Sequence, residues 1–314
     1  MLAEFVRKFK LSYMVFNFFK KKELEYNMAH FKKFGINKKY YSSLSSEDFK
    51  AIDSPLNIHD AKDSATELPN QAAFQALDPA TQESLLTWSR DGYVILKNFF
   101  QPEEAEAFNQ EIEALIQNNT ANWRYNNRIL FAIHRSKLLH GAGAHPKLMT
   151  ILKLLLGKEV DLFQSINFIK GSQQRTHSDS IHMTTFPYGN MIAAWVALED
   201  ITIDNGPLHY YPGSHKLPYV MNKDYDNVGT KHKIGDKQYS VYEDKIESII
   251  QERQLKKEVF LAKKGDVLIW HANLLHGGNA VNDSNSTRKS MVFHYYSQDA
   301  ICFHEISQRP TLKK

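Results

Sequence analysis

The amino-acid sequence predicts a mainly β protein with flanking helices, its second half a β-sandwich or barrel. Three observations predict this. From about residue 159 short apolar runs rich in β-branched and aromatic residues follow one another: 160–169, 191–198, 207–211, 258–261, 266–270 and 289–296. Turn signals separate them, among them Asp204-Asn205-Gly206, Pro212-Gly213-Ser214 and Lys264-Gly265-Asp266. Many short strands joined by such turns suit a sandwich or barrel. Helical periodicity, in contrast, is confined to the first half and to one stretch near 242–255.

The elements follow in order. Residues 1–22 read MLAEFVRKFKLSYMVFNFFKKK. The apolar run over 11–19 is interrupted by polar residues, and no small-residue cleavage site follows, so a signal peptide fits poorly. The run is also far short of the roughly 20 apolar residues a membrane span needs. Two readings stand: a helix whose Leu2, Phe5, Val6 and Phe9 pack on the body of the protein, or an aromatic, basic helix in peripheral contact with a membrane. A second helix is predicted over 21–34, broken by Gly35. Residues 40–66 are rich in Ser and Asp without a clear period and read as a surface connection. Asp78 caps a short helix to about Ser89, with Pro79 at its first position, where a missing N–H costs nothing. Residues 93–100 read as a strand. Residues 102–117 carry Ala105, Phe108, Ile112, Leu115 and Ile116 at steps of three and four, an amphipathic helix. Residues 146–156 form another helix, ended by Gly157. The charged, irregular segment 220–257 has the length of a lid over one end of a barrel.

Composition excludes several functions. There are 39 basic and 35 acidic residues, a net charge of +4, which argues against a dedicated nucleic-acid partner. The single cysteine, Cys302, excludes an internal disulfide and a cysteine-based zinc site, so a reducing, cytoplasmic location is expected.

The chemistry lies in two pieces. In Arg175-Thr176-His177-Ser178-Asp179, residues two apart point to one side of an extended segment, so His177 and Asp179 can face one ion. Leu274-Leu275-His276-Gly277-Gly278 follows the strand over 266–270. Two histidines and one carboxylate are the ligand set of non-haem Fe(II) oxygenases, with positions left open for a cosubstrate and O₂. Arg288 lies twelve residues after His276, at the start of the last strong strand. Its planar fork suits the distal carboxylate of 2-oxoglutarate. His271, five residues before His276, is the rival distal ligand. His182 is read as pocket or core, and His215 as structural.

These pieces resemble the phytanoyl-CoA dioxygenase family of Fe(II)/2-oxoglutarate oxygenases. The resemblance runs from about Thr87 to Tyr296 through DGYVILKNFF (91–100), LFQSINF (162–168), HSDSIH (177–182), WVALEDITIDNGPLHYYPGSH (195–215), GDVLIWHANLLHGG (265–278) and TRKS (287–290). It implies a double-stranded β-helix of jelly-roll or cupin-like form over 86–314, behind an N-terminal helical region over 1–85. It implies His177, Asp179 and His276 as iron ligands, Arg288 as the partner of the cosubstrate's distal carboxylate, Trp195 near the cosubstrate and Gln164 as a polar contact. The implied reaction is oxidation of a small molecule by O₂, most simply hydroxylation, with 2-oxoglutarate converted to succinate and CO₂. The alternative is a cupin-like protein that keeps a metal without turnover. Whether purified protein converts 2-oxoglutarate to succinate separates the two.

Overall fold

The computed structural model of the protein describes residues 6–124 and 128–313. The helix predicted from the N-terminal run is α1 (Lys10–Phe18). Leu2 and Phe5 lie outside the described residues. Val6 does not pack on the body but is 44% exposed, while Phe9 is half-buried beneath Lys233. The helix expected over 21–34 is divided into a turn at Lys21–Leu24 and α2 (Asn27–Lys33). Leu24, Asn27 and Phe31 keep the helical spacing across the break and are all buried.

The segment 40–66 is anchored rather than a surface connection. Leu44 and Phe49 are buried with Phe31 against Phe186, Ile301 and Phe303. Its polar residues are caps more than solvent-facing groups. Ser45 and Asp48 cap each other across a 3-10 turn, Asn57 accepts from His59 N–H, and Asp63 accepts from Ala65 N–H. Such residues satisfy backbone donors at helix starts, so their abundance did not report exposure.

Asp78 accepts from Thr81 N–H at the start of α3 (Pro79–Leu86). A further turn, Trp88–Asp91, ends at Gly92 in the left-handed region. Then follow β1 (Tyr93–Leu96), α4 (Pro102–Gln117), β2 (Trp123–Arg124), β3 (Arg128–Leu130), α5 (Lys137–Gly143), α6 (Pro146–Leu156) and β4 (Val160–Phe168). After these come β5 (Thr184–Phe186), β6 (Met191–Ala197), β7 (Leu208–Tyr210), α7 (Tyr239–Glu252), β8 (Glu258–Phe260) and β9 (Val267–His271). The last strands are β10 (His276–Gly278), β11 (Ser290–Ser297), β12 (Ile301–His304) and β13 (Arg309–Pro310).

The larger sheet runs β1-β9-β6-β11-β4-β3-β2, with every pairing antiparallel. Smaller sheets run β10-β7-β8 and β13-β12-β5. The central strands β6, β9 and β11 are buried along their whole length, which is why they read as continuous apolar runs. On one face Ile192, Ala194, Val196, Val267, Ile269, Met291 and Phe293 meet α3, α4, α5 and α6 through Leu85, Phe108, Ile112, Leu139 and Leu152. Leu68 and Phe74 belong to this same core. On the other face Trp195, Leu268, Trp270 and Val292 meet Leu208, Tyr210 and Phe260 of the smaller sheet. This inner face is where the candidate site lies. The turn feeding β9 depends on Gly265, at φ +91°, because a Cβ there would stand 2.0 Å from the Phe100 carbonyl oxygen.

Candidate metal centre

His177 and His276 are 99 residues apart in the chain, yet their backbones form one antiparallel bridge. His177 N–H donates to His276 C=O at 2.9 Å, and His276 N–H donates to His177 C=O at 2.9 Å. The segment around His177 thereby extends the edge of β10 and sets the two imidazoles 4.6 Å apart. Gly277 makes this possible, since a Cβ there would lie 2.8 Å from both the Gln174 carbonyl oxygen and the His209 ring. Asp179, two residues on, turns its carboxylate to the same side. Its Oδ1 stands 3.9 Å from His177 Nε2 and 3.7 Å from His276 Nε2. All three side chains are buried, and one donor atom from each falls within 4.8 Å of the others.

The tautomers follow from the hydrogen bonds. His177 Nδ1 donates to Arg175 C=O and His276 Nδ1 donates to Leu274 C=O, both at 2.9 Å. Each Nε2 is therefore the lone-pair nitrogen, turned toward Asp179. The Gln174 amide lies 3.2 Å from His177 Nε2, in position to donate to that lone pair. Burial holds the His177 pKa well below its ordinary value, so the ring is neutral at pH 7. Burial pushes the Asp179 carboxyl up, but the surrounding imidazoles and the Trp270 N–H outweigh it and leave the group below its ordinary range. Trp270 Nε1–H donates to Asp179 Oδ2 at 2.8 Å, leaving Oδ1 facing the histidines. His294 Nε2 stands 3.8 Å from the same Oδ2, and burial lowers its pKa to about 4.

Two imidazole nitrogens and a carboxylate on one side of a point fit a divalent iron with open positions opposite. The site also fits 2-oxoglutarate. Arg288 is buried, its guanidinium 5.2 Å from the Phe168 ring and 5.7 Å from the Trp195 ring. Nη1 donates to Ser290 Oγ at 2.9 Å, while Nε has no hydrogen-bond acceptor. Among the described residues no carboxylate lies within ion-pair distance of it. Burial lowers its pKa to about 10, so it is still charged at neutral pH. A buried cation without a counter-ion calls for an anionic ligand.

The structure brings His177, Asp179 and His276 together, and seats Trp195 against Arg288. Gln164 is half-buried on the inner face, opposite His294, its amide 3.6 Å from Met183 Sδ. His271 lies outside the cluster. On β9 it alternates with Trp270, so it points to the outer face, where it meets Trp88, His215 and Asp60. His215 is buried there as expected of a structural residue, and His182 bonds Tyr239 OH through Nε2 at 2.9 Å.

Sequence reading missed Trp270, His294, Gln174 and the tyrosines of α7. Strand parity carried a signal for two of them. Trp270 shares a face with Leu268, and His294 shares one with Arg288 and Val292, which point inward. The segment 220–257 is also built more tightly than expected of a lid. Tyr242, Ile246 and Ile250 are buried, and Tyr242 OH accepts from Ser178 N–H at 3.1 Å, between the two candidate ligands. Arg175 pairs with Asp244 at 2.8 Å and Glu243 at 3.4 Å. Gly229 and Gly235 sit within a compact loop, each with backbone atoms under 3 Å from where a Cβ would stand.

Residues 88–290 match the family described as "Phytanoyl-CoA dioxygenase (PhyH)". A curated relative, the ectoine dioxygenase of Halomonas elongata, is 27% identical over 246 residues, covering 73% of each chain. That of Bordetella bronchiseptica is 26% identical over 239 residues, covering 71% of this chain and 77% of the relative. Among solved structures, the non-haem α-ketoglutarate-dependent carbocyclase SnoK from nogalamycin biosynthesis superposes with a TM-score of 0.59 at 19% identity, over 77% of this chain and 94% of that one. EctD from S. alaskensis, solved with 2-oxoglutarate and 5-hydroxyectoine, gives 0.54 at 20% identity, over 75% and 81%. These likenesses show that the two-sheet core has the double-stranded β-helix, or jelly-roll, fold.

Proposed function

The chain belongs to the phytanoyl-CoA dioxygenase family, and from that membership we propose how its own residues perform the oxidation of a small molecule with Fe(II), 2-oxoglutarate and O₂. His177, Asp179 and His276 hold the iron, and Arg288 takes the distal carboxylate of 2-oxoglutarate. The observation that carries this reading is the convergence of both Nε2 lone pairs on Asp179 Oδ1, together with a buried guanidinium that has no carboxylate within ion-pair distance among the described residues. Bound iron supplies O₂ activation coupled to decarboxylation of 2-oxoglutarate.

The protein's part is positioning and exclusion of water. The Arg175 and Leu274 carbonyls hold the imidazoles in the tautomer that offers Nε2. Trp270 holds the far oxygen of Asp179, so the carboxylate presents one oxygen forward. Phe168 and Trp195 sandwich Arg288 and keep water from it, which strengthens its hold on a carboxylate in the low-dielectric interior. Gln164 lines the same inner face. Residues 220–257 wall the site through Tyr239 and Tyr242 and contribute to the choice of substrate. We place the division between extension and oxygenase domain near residue 86, and the protein in the cytoplasm, where its one buried, unpaired thiol stays reduced. No helix among the described residues is long and apolar enough to cross a membrane.

The test is turnover. Purified protein with Fe(II) and 2-oxoglutarate forms succinate slowly alone and faster when the true substrate is added. A panel of small polar metabolites, with ectoine among the first because relatives carry that name, finds the substrate. Absence of succinate with iron and 2-oxoglutarate demonstrably bound would defeat the reading.

A further inference from the structure

Half of the large exposed apolar side chains among the described residues fall within residues 6–28: Val6, Leu11, Val15, Phe16, Phe18, Phe19 and Met28. Leu11, Val15, Phe18 and Phe19 are spaced at steps of four, three and one, so they form one outward stripe of α1 and the residue that follows it. Leu11 is 67% exposed and Phe19 78%. The opposite face is the one that packs, with Asn17 buried and bonded toward Tyr41 C=O. An apolar stripe of this kind facing water costs free energy unless something covers it.

The charge around the stripe says what covers it. Residues 6–22 contain six basic residues and no acidic one. Lys21 and Lys22 are exposed at its C-terminal end and Arg7 and Lys8 at its N-terminal end. A second segment adds to them. The loop 230–234 pairs with the start of α1, Ile234 N–H donating to Lys8 C=O at 3.0 Å and Lys10 N–H to His232 C=O at 2.9 Å. This brings the exposed Lys231 and Lys233 alongside, with Lys233 over the Phe9 ring at 5.3 Å. Among the described residues, the acids that offset these lysines are Glu23, paired with Lys20, Glu25, 3.8 Å from Lys21, and Asp48, which acts on Lys10 and pairs with Lys38. Beside the stripe an open depression is lined by Lys21, Glu25, Met28, Lys39, Tyr40 and Tyr41.

We propose that this face docks on the surface of an anionic lipid bilayer. The aromatic and aliphatic side chains enter the acyl boundary while the flanking lysines meet the phosphates. A protein groove would match the stripe but would leave the lysines on both sides of it without partners. An anionic bilayer satisfies both at once. The docked surface is joined to the candidate metal centre through the chain, because the loop that pairs with α1 continues into α7, whose Tyr239 and Tyr242 bond His182 and Ser178. The proposal is independent of the oxygenase reading.

The experiment is flotation of the full-length protein with vesicles of phosphatidylcholine alone and of phosphatidylcholine mixed with phosphatidylglycerol. We expect uptake on the mixed vesicles, little on the neutral ones, and release as salt is raised. The paired variants Phe18→Ser with Phe19→Ser, and Lys21→Gln with Lys22→Gln, should each lower partition about tenfold or more. All four residues lie outside the core, so thermal stability and succinate formation stay at the wild-type level. No uptake on anionic vesicles overturns the proposal, as does uptake that neither pair reduces. Concentration-dependent dimerisation in sedimentation velocity, abolished by the phenylalanine pair and unaccompanied by vesicle uptake, would overturn it in favour of a second copy of the chain.

Discussion

At the scale of single residues, the site is a set of nitrogen and oxygen lone pairs whose directions are fixed by partners behind them. Replacing His177, Asp179 or His276 with alanine is expected to abolish iron binding, read by titration, with the fold kept. His271→Ala should bind iron normally, because that ring faces the outer side of β9. Trp270→Phe removes the donor that fixes Asp179 Oδ2, and iron affinity should fall about 10–100-fold. Arg288→Ala should raise the 2-oxoglutarate requirement by about a hundredfold or more, since stranding one partner of a buried charge pair costs about 3–5 kcal/mol. Arg288→Lys should recover only part, a point charge being unable to form two parallel bonds. An unchanged 2-oxoglutarate titration in the alanine variant would refute that role. The triad was legible because a period of two brings His177 and Asp179 to one side. Trp270, His294 and Gln174 were not, because their closeness to Asp179 and His177 depends on which strands are neighbours, and strand order is not written locally.

At the scale of elements, α7 is a brace on the segment that carries His177 and Asp179. Its Tyr242 hydroxyl takes the Ser178 N–H, Tyr239 holds His182, and the Asp244 and Glu243 carboxylates hold Arg175. Tyr242→Phe leaves a buried backbone N–H without a partner, a loss of about 1–3 kcal/mol. Chemical denaturation should show that loss, and substrate-dependent turnover should fall more than iron affinity. If turnover and its coupling to succinate are unchanged, α7 has no part in the chemistry. Limited proteolysis checks the same element from outside. Cleavage within 226–238 should precede cleavage within α7, which buries Tyr242, Ile246 and Ile250. Element boundaries were well read wherever a period ran long. The helix over 102–117 was found to the residue because Ala105, Phe108 and Ile112 repeat against a single sheet. Residues 40–66 were misread because their short helices bury one residue each and leave no period to detect.

At the scale of the whole molecule, stability should depend on pH through buried neutral histidines. Burial lowers His209 to about 4 and His215 to about 3. Between those values and the ordinary histidine pKa near 6.5, the unfolded chain binds protons that the folded one does not, so stability falls as pH falls across that window. The melting temperature should drop steadily from pH 7 to pH 4, and replacing His215 with a neutral residue of similar size should flatten part of that slope. The clasp at Glu305 has a different consequence. Its buried carboxylate accepts from Ser46 N–H and Oγ–H and from Asn222 N–H, tying the C-terminal strands at once to the N-terminal segment and to the start of the 220–257 insertion. Ser46 and Glu305 both lie outside the span shared with the family, residues 88–290, as do Phe49 and Phe303, which stack beside them. The stretch that matches the family is thus shorter than the stretch that must fold together. A chain trimmed to the shared span would keep all four residues proposed to address iron and cosubstrate, yet expose the aromatic floor beneath β5, and it should aggregate where the full chain does not.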